Sequence, residues 1–87
     1  MTKYAIITIN ENELSCTSLS IYGTRAEAVN SVVNAVKTVW EYGDMAEADR
    51  PLMDRSMASA RENLEKYGAW YSEDGDNRLY LLKEIEV

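Results

Sequence analysis

The sequence predicts a small single-domain α+β fold of order ββααββ. Three observations carry that prediction: an apolar stripe at helical spacing in residues 24–42, a strand pattern at each end of the chain, and turn signals between neighbouring segments. At 87 residues there is room for one core only. A chain of this size buries roughly 60–65% of its unfolded surface, enough to fold without staples.

Residues 4–9 (YAIITI) are β-branched and aromatic with no polar face, as expected of an inner strand covered on more than one side. Residues 10–13 (NENE) are a polar tetrapeptide whose asparagines tolerate a left-handed backbone, so a hairpin turn follows. Residues 14–22 (LSCTSLSIY) change phase between Cys16 and Leu19, which a β-bulge around Thr17 and Ser18 would repair. Their four hydroxyls suit an edge strand, one that could also accept a partner strand.

Val29, Val32, Val33, Val36, Val39 and Trp40 form one stripe on a 3.6-residue period. Thr24 and Glu27 have the spacing of a capping box, and Gly43 offers a left-handed C-cap. Valines lose χ1 freedom in a helix, so packing against a sheet, rather than propensity, must hold this one. Residues 44–50 (DMAEADR) are an acidic connector with room for one helical turn, and Pro51 sits at a permitted first position of a second helix. Met53, Met57, Ala60, Leu64 and Tyr67 give that helix a narrower stripe, while Arg61–Glu65 and Glu62–Lys66 are i, i+4 pairs on its outer face. Gly68 ends it.

Residues 69–73 and 78–87 flank Asp74, Gly75, Asp76 and Asn77, where Gly and Asn supply positive φ for a closing hairpin. In the last strand Leu79, Leu81, Lys83, Ile85 and Val87 share one face, and Tyr80, Leu82, Glu84 and Glu86 the other. Lys83 on an apolar face either lays its stem along the sheet margin or lines a site. Pairing the two most apolar strands, the first and last, gives an antiparallel sheet of order 2-1-4-3 with both helices on one face. The second face is then left to solvent or to a partner.

Fifteen acids against nine bases give a net charge of −6, concentrated in residues 44–87 with eleven acids and six bases. Such a surface repels phosphate, which argues against direct nucleic-acid binding and leaves solubility or a basic protein partner as its use. The aromatics are six Tyr and two Trp with no Phe, so every one carries a polar handle suited to a core end or an interface.

Chemistry is sparse. There is no histidine, the commonest general base and metal ligand, and the glycines form no phosphate-binding pattern. Cys16, with no His to activate it, reads as a small buried hydrophobe. Glu73, Asp74 and Asp76 cluster at the second turn, but a calcium loop counted from Asp74 puts Leu79 where glycine is needed. Asp44, Glu47 and Asp49 form a second acidic group in the connector. Either group is a solvated turn or a partner contact. The expectation is a protein without catalytic residues, cofactor or metal, and, with no apolar run of membrane-spanning length, a cytoplasmic one.

In length, acidity, scarcity of chemical motifs and hairpin-helix-helix-hairpin layout, the whole chain resembles the small acidic proteins that phages and mobile elements make against host defences, anti-CRISPR proteins being the familiar case. The resemblance implies a stoichiometric inhibitor that occupies a basic nucleic-acid channel, acidic side chains standing where phosphates would sit. The contact residues expected on that basis are Asp44, Glu47, Asp49, Glu73, Asp74 and Asp76. The alternative is a structural or homo-oligomeric domain that associates through the open sheet face or the edge strand.

Overall fold

A computed structural model describes residues 1–13, 17–43, 46–72 and 77–87. The elements are β1 (Thr2–Asn10), β2 (Ser18–Tyr22), α1 (Arg25–Tyr42), a short 3-10 helix (Glu47–Asp49), α2 (Arg50–Tyr67), β3 (Ala69–Ser72) and β4 (Arg78–Glu86). They form one antiparallel sheet of order β2-β1-β4-β3. Both helices lie on one face, as the sequence predicts, and the smallest dimension of 19 Å is that of two layers.

The core lies between the sheet and the helices. Ile6, Tyr80 and Leu82 meet Ala28, Val29, Val32, Val33 and Val36 of α1 and Ala60 and Leu64 of α2. Trp70 stacks on Tyr80 with centroids 5.9 Å apart and donates its indole N–H to Ser59 Oγ at 3.1 Å, which closes the β3 side. Val39 and Trp40, the last of the predicted stripe, are half-buried.

α1 begins as its spacing predicts. The Thr24 hydroxyl accepts from the Glu27 amide at 3.2 Å and donates to the Glu27 carboxylate at 3.1 Å. The two glycines at helix ends behave differently. Gly68 is left-handed, with φ 71°, its N–H on Leu64 O and its carbonyl accepting from Leu82 N at 2.8 Å. Gly43 is not: its φ is −89°, because the last turn tightens into an i to i+3 bond from Gly43 N to Trp40 O.

Other local expectations need correction. Tyr67, placed in the α2 stripe, is 67% exposed at the last helical residue, with Lys66 Nζ 5.2 Å from its ring centre. Ser56 takes a buried place on that stripe instead. Arg61 reaches across to Asn30 Oδ1 of α1 at 2.8 Å, and Arg25 bonds the Leu64 and Glu65 carbonyls, so polar ties between helices replace the expected i, i+4 pairs. Among the described residues the one ion pair within 4 Å joins the Met1 ammonium to Glu86. The second strand runs from Ser18, with Thr17 outside it, and the third runs to Ser72; Glu73, read as the end of the third, lies outside the described residues. Residues 14–16, which include Cys16 and the approach to the expected bulge, lie outside the described residues.

Candidate functional site on the open sheet face

Strand alternation sends every second side chain away from the helices, and the register sets these in rows across the sheet. Leu19 of β2, Ile7 of β1, Leu81 of β4 and Ala69 of β3 make the central row. Ile9, Leu79 and Tyr71 make the row toward the turns; Ile21, Ala5 and Lys83 make the row on the other side, with Lys3 and Ile85 beyond it. Ten of these side chains are apolar or aromatic, with no polar side chain interrupting the central row. Leu19 is 61% and Ile21 56% exposed, while Lys3, Ile7, Ile9, Leu79, Leu81 and Ile85 are half-buried. Ala5, a small side chain next to Ile7 along β1, is buried between Ile21 and Lys83.

Charge is placed unevenly on this face. Lys3 and Lys83 stand at the end where β1 begins. At the opposite end the Tyr71 hydroxyl donates to Glu11 Oε2 at 2.9 Å, which draws that carboxylate to the rim of the face. Glu11 N also donates to Asn77 O at 3.1 Å, so the β1–β2 and β3–β4 connections leave the sheet at the same end. Asn10 Oδ1 accepts from the amides of Asn12 and Glu13 and fixes the first of them as an Asx turn. Asn77, with φ 47°, supplies the positive φ expected of the second. Lys83 is exposed on the apolar face.

Of the acidic residues singled out in the sequence, Glu47 and Asp49 are on the 3-10 helix, which packs against α2; Glu47 is exposed and Asp49 half-buried. Asp44, Glu73, Asp74 and Asp76 lie outside the described residues. Glu11 was missed as a member of the acidic end. The signal for it was present: a 2-1-4-3 sheet puts both hairpin turns at one end, and residues 10–13 carry two glutamates.

Among the described residues no three Cys, Asp or Glu side chains stand close enough to hold a metal ion, and no helix is long and apolar enough to cross a membrane. One carboxylate is shifted: Glu86 is held below its ordinary range by the Met1 ammonium at 2.8 Å and then by the Thr2 hydroxyl at 3.0 Å, slight desolvation opposing them. It lies off the open face, on the same side of the sheet as Thr2. No protein-family model, curated protein or solved structure significantly matches the chain.

Proposed function

We propose that this protein works as a non-enzymatic binding module that docks on a protein surface through the open face of its sheet. The observation that carries the reading is the continuous apolar surface around Ile7, Leu19 and Ile21 on the side of the sheet away from the helices. A contiguous patch of that kind marks an interaction surface more often than scattered exposed residues do. The test is binding of an apolar fluorescent dye at about 1 μM protein. Wild type enhances its emission, and the Leu19→Glu/Ile21→Glu variant, folded by circular dichroism, loses most of that enhancement. Equal emission from both proteins contradicts the reading.

A more specific version follows the resemblance to anti-CRISPR proteins: inhibition of a cytoplasmic nucleic-acid-handling complex by acidic side chains set in its basic site. It is favoured by the net charge of −6 and by Glu11 and Glu13 at the sheet end from which the segment bearing Glu73, Asp74 and Asp76 departs. Affinity capture from bacterial lysate at low and moderate salt tests it. Recovery of one such complex, competed away by its nucleic acid, is expected. Capture unchanged after neutralising Asp44, Glu47, Asp49, Glu73, Asp74 and Asp76 contradicts it.

A further inference from the structure

We propose that the occupant of the open face is a second copy of this chain, stacked sheet to sheet about a two-fold axis that lies in the interface, passes near Ile7 and runs perpendicular to the strands. The inference rests on the reading of this face as the docking surface and adds the partner and its orientation. Four strands about 4.8 Å apart and four outward positions about 6.8 Å apart give the face a plan area of roughly 400–500 Å². One such face is at the upper end of what a monomer leaves uncovered. Two faces together reach about 1,000 Å², the threshold for a specific though weak interface.

The orientation follows from shape and charge. A two-fold perpendicular to the strands lays β1 on β1 in the opposite direction, as in an aligned sandwich of two sheets. With the axis at Ile7, Ile9 of each copy faces the small, buried Ala5 of the other, and Leu19 meets Leu19. The same operation carries Lys3, four residues before Ile7, toward the end of the partner's face where Glu11, one residue past β1, holds its carboxylate at Tyr71. A two-fold parallel to the strands would instead set lysine against lysine and glutamate against glutamate. Repulsion between copies of net charge −6 is screened over about 10 Å at 0.1 M salt, so short-range complementarity decides the arrangement.

Sedimentation velocity from 1 to 500 μM at 0.1 M salt tests the proposal. The mass should rise from 9.9 kDa toward twice that value with a midpoint of roughly 100 μM, as of a weak interface. Leu19→Arg, at a position exposed in the single copy and so tolerant of the change, should remain monomeric throughout. Lys3→Glu should weaken association at least fivefold, and Lys3→Glu with Glu11→Lys should restore it. A wild type monomeric at 500 μM, or a dimer indifferent to Leu19→Arg, overturns the proposal. A dimer lost with Leu19→Arg but not restored by the charge exchange overturns the orientation. Monomeric wild type whose dye binding still depends on Leu19 and Ile21 sinks the second copy alone and leaves the face to a different partner. Monomeric wild type with dye binding independent of those residues removes both.

Discussion

Replacing Gly68 by alanine tests how α2 is handed to the sheet. At φ 71° an L-residue costs about 1–2 kcal/mol relative to its preferred conformations. An added Cβ would also sit 3.2 Å from Leu82 O, a backbone atom whose own amide donates to Gly68 O, so it can retreat only by straining that bond. Alanine recovers about 0.4–1 kcal/mol by narrowing the unfolded ensemble. The strain outweighs this, and the expected net loss is about 1–2 kcal/mol. For a domain of this size that lowers the melting temperature by roughly 5–15 °C. Urea unfolding followed by tryptophan fluorescence and circular dichroism measures it, Trp70 being two residues from the substitution. Gly43→Ala is the control: its φ is −89° and its nearest atoms lie 3.8 Å away, so the change should stay within about 0.5 kcal/mol of wild type. If Gly68→Ala matches or exceeds wild-type stability, or if the two glycines respond alike, the account of the helix-to-strand junction is wrong.

Three further outcomes follow from the same structure. Leu64→Ala removes a side chain with no exposed surface where α2 meets Val29 and Leu82, and should cost about 2–5 kcal/mol in urea unfolding; a loss under about 1 kcal/mol would mean the helix is not seated as described. Thr24→Ala removes the acceptor of the Glu27 amide and should cost about 1 kcal/mol, with a fall in the urea midpoint at unchanged slope. Glu86 has a depressed folded pKa, so its contribution is fully present above its unfolded value near 4.5 and is lost as pH falls through the lower folded value. Glu86→Gln should therefore differ from wild type at neutral pH and converge with it in acid; a difference that is constant with pH would contradict the Met1–Glu86 contact.

The layout of the fold was legible because its signals are local or nearly so. Valine spacing, the Thr24–Glu27 pair and Pro51 mark helix faces and starts, and the two most apolar strands place themselves side by side. Which sheet face the helices cover was harder to read, since Leu79 and Leu81 are as apolar as Tyr80 and Leu82. Alternation separates those two sets without ranking them. The choice is made by contacts between elements, Trp70 on Tyr80 and on Ser59 among them. The lack of a polar face in residues 4–9 suggested a strand covered on both sides, yet Ile7 and Ile9 belong to an open surface. Gly43 and Gly68 look equivalent in sequence, and differ because only Gly68 must deliver the chain into a bonded strand. The acidic residues of the connector and second turn were chosen by density along the chain, whereas Glu11 joins the site through Tyr71, 60 residues away.

The central claim, that the open face is the working surface and is covered by its own copy, is tested most directly by methyl NMR with a soluble paramagnetic agent at about 10 μM and about 1 mM protein. The account predicts strong relaxation of the Leu19 and Ile21 methyls in the dilute sample and their protection in the concentrated one, with exposed Leu52 of α2 relaxed equally in both. Methyls of Leu19 and Ile21 that stay as accessible as Leu52 at both concentrations would contradict it.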